Sequence, residues 1–155
     1  MGTMWVLTAN RGFAKLFEVK GIGRQITEIQ HIDNPDGRKK GSEIFTDSPG
    51  RSFDRLGPGR HALTNERDAH EREQRHFTQK LADLLQEGLE KHAFNDLAII
   101  APDKFLGELH QVFSEQIKKA TIKEIHKDLA EHLSNEERLD LICKYLDLWN
   151  RASVK

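Results

Sequence analysis

Three arginines, a histidine and two of the glycines between Ser48 and Ala62 gather as one set: Arg51, Arg55, Gly57, Gly59, Arg60 and His61. A guanidinium is a planar fork of donors that matches the oxygens of a phosphate. Glycines beside it let the backbone come close to a ligand. An imidazole donates, accepts or titrates near neutral pH. The set therefore suits recognition of phosphate groups. With His61 as acid and base and Arg60 as charge stabiliser, it would also suit hydrolysis of an ester or phosphodiester. The plainer alternative is a solvated loop of ordinary turn residues.

Other reactive side chains are less well arranged. His70-Glu71 opens like a zinc-protease helix, but Gln74 stands where the second histidine is required. Asp103 and Asp128 flank predicted strand ends and could pair their carboxylates on a metal. Helix capping by Asp103 and a surface place for Asp128 are the plainer reading. The eight histidines are scattered and Cys143 is the single cysteine, so no metal and no cofactor is expected. Gly21-Ile22-Gly23 is followed by a strand pattern rather than a helix, which excludes a dinucleotide loop. No serine has the Gly-x-Ser-x-Gly setting of an α/β-hydrolase. Arg67, Arg72 and Arg75 alternate with Asp68, Glu71 and Glu73 at helical spacing, the pattern of a salt-bridged solvent face.

These residues need elements to hold them. Trp5–Ala9 is an apolar strand, Asn10-Arg11-Gly12 a tight turn, and Phe13–Val19 a second strand. Gln25–Ile32 alternates, with Ile26, Glu28, Gln30 and Ile32 to one side, so the first three strands form an antiparallel meander. Residues 33–67 contain Asn-Pro, Asp-Gly, Ser-Pro-Gly and Gly-Pro-Gly and read as one long functional loop. From about Asp68 to His92 the period is helical, with Phe77, Leu81, Leu84, Leu85, Gly88 and Leu89 on one face. The same face continued backward meets Gln74, Glu73, His70 and Ala69, so the first two turns are expected to project beyond the core. Leu97–Ile100 is a central strand. Pro102 opens a helix with Phe105, Leu106, Leu109, Val112 and Phe113 inward. Ala120–Lys127 is a strand. Ser134-Asn135-Glu136-Glu137 is a capping box heading a last helix over 134–150. Its stripe is Leu139, Ile142, Cys143, Leu146 and Trp149. A second stripe of Leu141, Tyr145 and Leu148 predicts burial on two sides, or a partner such as a second copy of the chain.

The order β-β-β-loop-α-β-α-β-α predicts an α/β chain, residues 1–155 as a single domain, with a mixed five-stranded sheet flanked by helices. The 155 residues are 37% hydrophobic and 32% charged with net charge −1, so no global field draws the chain to nucleic acid or membrane. One thiol forms no internal disulfide, which places the chain in a reducing, cytoplasmic compartment. No stretch approaches the roughly 20 apolar residues of a membrane span, and Met1–Asn10 lacks the basic start of a secretory signal. No membrane insertion is expected.

Several ordered pieces resemble a known bacterial family, the host attachment proteins. They are Trp5-Val6-Leu7-Thr8-Ala9 with Ala14-Lys15-Leu16-Phe17, Ser48-Pro49-Gly50-Arg51-Ser52-Phe53-Asp54, Gly59-Arg60-His61-Ala62, Ala101-Pro102 with Phe105-Leu106-Gly107, and Lys127-Asp128-Leu129. Together they cover roughly residues 4–137. The resemblance implies kinship to the middle domain of archaeo-eukaryotic peptide-chain release factors, with a ribonuclease-H-like mixed sheet and a Gly-Gly-Gln loop ahead of a long helix. Here Gly57-Pro58-Gly59-Arg60-His61-Ala62 stands at that place without the Gly-Gly-Gln, and Gln74 and Gln79 fall inside the helix. What it implies is the fold and a surface for the ribosome, tRNA or other RNA through residues 48–62, rather than peptidyl-tRNA hydrolysis. A hydrolase using His61 and Arg60, and a protein-interaction factor in surface attachment, are the alternatives.

Overall fold

The computed structural model describes residues 2–20, 25–38, 59–129 and 133–146. Five strands make one mixed sheet: β1 (Met4–Ala9), β2 (Phe13–Lys20), β3 (Gln25–Asp33), β4 (Asp96–Ala101) and β5 (Thr121–His126), in the order β3-β2-β1-β4-β5. The meander is present, with β1 antiparallel to β2 and β2 to β3. On the other side, β4 runs parallel to both β1 and β5. The described helices are α1 (Pro35–Arg38), α2 (Gly59–Glu90), α3 (Asp103–Val112), α4 (Glu115–Ala120) and α5 (Asn135–Leu146).

Alternation along β1 sends Trp5, Leu7 and Ala9 to one face and Met4 and Val6 to the other. The first face packs under α2, α3 and α4 through Phe77, Leu81, Leu85, Phe105, Leu109 and Ile117. The second is covered by α5 through Ile142 and Leu146. Each fully buried side chain of this kind contributes roughly 1.5–3 kcal/mol of transfer free energy. Gly88 is required where α2 crosses the sheet: a Cβ there would lie 2.7 Å from the Trp5 ring, which stacks on Phe94 at 4.5 Å.

Four expectations are corrected. The long helix begins at Gly59, not near Asp68, and α1 stands at the start of the stretch expected as a loop. Residues 60–67 are mostly polar, but Ala62, Leu63, Glu66 and Arg67 favour helix and no proline intervenes. The helix after Pro102 ends at Val112, and a separate α4 begins after Ser114, whose Oγ accepts from Ile117 N at 3.2 Å. In β3 the strict alternation fails. Leu16 pairs with Gln30 and Phe17 with Glu28, leaving Ile29 as the extra residue of a β-bulge. Ile32 therefore joins the first core and Ile26 the second, although strict alternation places both on one side. Finally, the second stripe of the last helix is taken up inside the chain. Leu141 and Tyr145 are half-buried against the same cluster as Ile142, while Leu148 and Trp149 lie outside the described residues. The capping box is formed as expected: Ser134 N donates to Glu137 Oε1 at 2.9 Å, and Glu137 N to Ser134 Oγ at 3.1 Å.

Candidate functional site

β1 and β4 lie side by side in the middle of the sheet and point the same way. From β1 the chain turns to β2 on one side; from β4 it leaves toward β5 on the other. Where neighbouring connections part in this manner, a crevice opens outside the carboxyl ends of the strands. A cleft of about 440 Å³ is found there, lined among others by Asn10, Arg11, Gly12, Lys104, Glu108 and Asp128.

The β1–β2 turn forms one wall, and its shape is fixed locally. Asn10 Oδ1 accepts from Gly12 N at 2.8 Å and from Phe13 N at 3.1 Å, while Asn10 Nδ2 donates to Asp128 Oδ1 at 2.8 Å. Residues Asn34–Gly37 then clamp the turn from outside. Asn34 N donates to Gly12 O at 2.9 Å and Asn34 Nδ2 to Arg11 O at 2.8 Å. A Cβ on Gly37 would sit 1.9 Å from Arg11 O, so only glycine permits this approach. Asn34 Nδ2 also donates to Glu73 on α2.

Behind the turn lies a polar relay. Arg11 Nε donates to Gln74 Oε1 at 3.3 Å, and Gln74 Nε2 donates to Glu108 Oε1 on α3 at 3.1 Å. Gln74 is only 4% exposed. The polar continuation of the α2 face, expected to project, is thus docked at Gln74 and Glu73: their amide and carboxylate meet partners on the β1–β2 turn, α3 and Asn34. The expected salt-bridged face is likewise not formed at Arg72 and Arg75. Arg72 Nε donates to Asp68 O at 3.4 Å, and among the described residues neither arginine has a carboxylate within ion-pair distance.

Asp103 does not cap α3: it is the first helical residue, and the N-cap is Pro102, which offers no side-chain hydrogen bond. Its carboxylate instead meets His126 Nδ1 at the end of β5. Asp103 and Asp128 are therefore engaged by different partners rather than paired, and among the described residues no three His, Cys, Asp or Glu side chains could hold a metal. Cys143 is half-buried on α5, and burial, then the nearby Asp140 charge, pushes its thiol pKa up.

Of the residues expected to bind phosphate, Gly59, Arg60 and His61 form the first turn of α2 rather than a loop. Arg51, Arg55 and Gly57 lie outside the described residues, as do the side chains of Arg60 and His61. Sequence pattern marks Arg11, Gln74 and Lys104 only as turn, helix and surface residues. A signal for the first is present in the Asn10-Arg11-Gly12 turn at a strand's carboxyl end. Arg138, 1% exposed on α5, carries no such signal in its residue type.

A family profile described as "Protein required for attachment to host cells" matches residues 5–138. No curated protein matches the chain. Among solved structures, a chain described as "Archaeal protein" aligns at TM-score 0.48 and 11% identity, covering 94% of this chain and 34% of that one. The crystal structure of an archaeal translation termination factor, aRF1, aligns at TM-score 0.46 and 8% identity, covering 97% and 42%. The chain thus spans about a third of the first and two fifths of the second. Among the described residues no helix is long and apolar enough to cross a membrane.

Proposed function

The chain belongs to the family of proteins required for attachment to host cells, and from that premise we propose that its molecular act is docking on structured RNA, the ribosome or a tRNA, through residues 48–62. Attachment to a host is then a downstream outcome of that act. The observation that carries the reading is the placement of Gly59-Arg60-His61 at the head of α2. Gln74 is the first buried residue described on that helix, and at 1.5 Å per residue the head lies about 22 Å before it. A helix N-terminus favours anions, and Arg51, Arg55 and Arg60 are its near neighbours in sequence. Arg72, Arg75 and His76, all exposed, add basic side chains farther along the same helix.

The test is co-sedimentation with ribosomes and filter binding of tRNA at low salt. Wild type is expected to bind, and Arg51→Ala/Arg60→Ala/His61→Ala to bind at least about tenfold more weakly, through the loss of charge-assisted hydrogen bonds. Equal binding by both proteins, or none by wild type, removes the proposal.

A further inference from the structure

The cleft at the carboxyl ends of β1 and β4 has a charge arrangement of its own. Lys104 stands on the first turn of α3, exposed at the cleft. Its helical i+4 neighbour, Glu108, would normally pair with it. Glu108 is instead engaged by the Gln74 amide at 3.1 Å. Among the described residues Lys104 has no carboxylate within ion-pair distance. Arg11 faces the same cleft from the opposite wall, its Nε oriented by buried Gln74. One buried glutamine thus holds the arginine in place and keeps the lysine's natural partner occupied.

The lining carries the opposite sign as well. Asp128 has one oxygen on Asn10 Nδ2. Glu108 and Asp128 make a bare anion a poor match for the whole cleft. They suit a ligand whose phosphate is flanked by hydroxyl donors, because a carboxylate only accepts. A nucleoside phosphate has that pattern. Its phosphate meets two cations from separate elements, and its ribose hydroxyls meet carboxylate oxygens. The uncapped first turn of α3, which lines the cleft through Pro102, Lys104 and Phe105, adds a favourable dipole for the phosphate.

We infer that this cleft binds the phosphate and ribose of a nucleotide, with Arg11 and Lys104 on the phosphate and Asp128 accepting from a hydroxyl. The nucleotide is either a free mononucleotide or the 5′ end of an RNA. The site is built from residues other than 48–62 and is tested without them.

Titration calorimetry with the full chain tests it, using inorganic phosphate, 5′-AMP, and a short RNA with either a 5′-phosphate or a 5′-hydroxyl. 5′-AMP is expected to bind saturably and more tightly than inorganic phosphate. Lys104→Gln, at an exposed position that leaves the core intact, should weaken 5′-AMP about tenfold, as should Arg11→Gln. Asp128→Asn should weaken 5′-AMP but not inorganic phosphate. Tighter binding of the 5′-phosphorylated RNA than of 5′-AMP identifies an RNA end as the source; the reverse identifies the free nucleotide. Absence of saturable binding at millimolar 5′-AMP overturns the inference. So does equal binding by wild type and Lys104→Gln, or equal binding of the phosphorylated and hydroxyl RNAs where RNA binds more tightly. The triple variant Arg51→Ala/Arg60→Ala/His61→Ala should keep full affinity for 5′-AMP, so failure of the cleft and failure of ribosome docking are read separately.

Discussion

Arg138 shows how far one side chain departs from its type. Arginines are mostly solvated, yet this one is 1% exposed. Its Nη1 donates to Leu129 O at 3.2 Å and its Nη2 to Leu133 O at 3.4 Å, and its guanidinium lies 5.3 Å from the Phe13 ring centre. It ties the segment after β5 to the start of β2. Arg138→Ala should cost about 2–4 kcal/mol, because it opens a cavity and strands the Leu129 carbonyl; denaturant unfolding measures this, and a change under about 1 kcal/mol would contradict it. Lysine cannot restore a two-pronged, ring-stacked contact and should rescue less than half of that cost. Position alone hints at the burial. Arg138 falls one helical turn before Ile142, on the line that continues to Leu146, but its residue type argues for solvent. Cys143 behaves as its setting on an apolar stripe predicts. Burial and Asp140 raise its pKa, so less thiolate exists at any given pH than for a free cysteine. Alkylation by iodoacetamide at mildly alkaline pH should be clearly slower in the folded chain than after denaturation, and equal rates would refute that.

Elements are legible where periodicity is strong and obscured where the backbone alone decides. Phe77 to Leu89 announces its helix through its apolar face; Gly59 to Arg67, mostly polar in sequence, makes no hydrophobic stripe to announce one. The break at Phe113-Ser114 is hidden because Phe105 to Ile117 supplies inward residues on both sides of it. The polar residues Glu73 and Gln74 signal exposure, but their partners come from Asn34, Arg11 and Glu108, distant in sequence and invisible to a local pattern. At its far end α2 closes with His92 at φ 58°, the left-handed position usually given to glycine. His92 N donates to Leu89 O at 3.0 Å and Ala93 N to Gly88 O at 2.8 Å, the pair of bonds that ends a helix in this way. His92→Gly should therefore stabilise the chain by about 0.5–1 kcal/mol, relief of side-chain strain offset in part by a looser unfolded chain. A lowered thermal midpoint would show that the histidine makes a compensating contact.

At the scale of the whole molecule, the mixed sheet and the layer of helices on each face follow from the order of elements, while the cleft follows only from how those elements meet. With a net charge of −1, the molecule has no long-range pull on nucleic acid. Any RNA docking must then come from local cations, and its salt dependence should report them. The slope of log affinity against log salt should flatten by about 1.5 when Arg51 and Arg60 are both replaced, since each phosphate no longer neutralised accounts for roughly 0.7–0.9. An unchanged slope would place the contacts elsewhere. The bulge at Ile29 has an effect on the molecule's neighbours as well as on its own core. β3 is an outer strand, and a straight outer strand offers an unbroken row of backbone donors and acceptors on which another chain can nucleate. The extra residue breaks that row near its middle and increases the local twist. The irregularity that spoils the alternation therefore guards the sheet against edge-to-edge fibre growth.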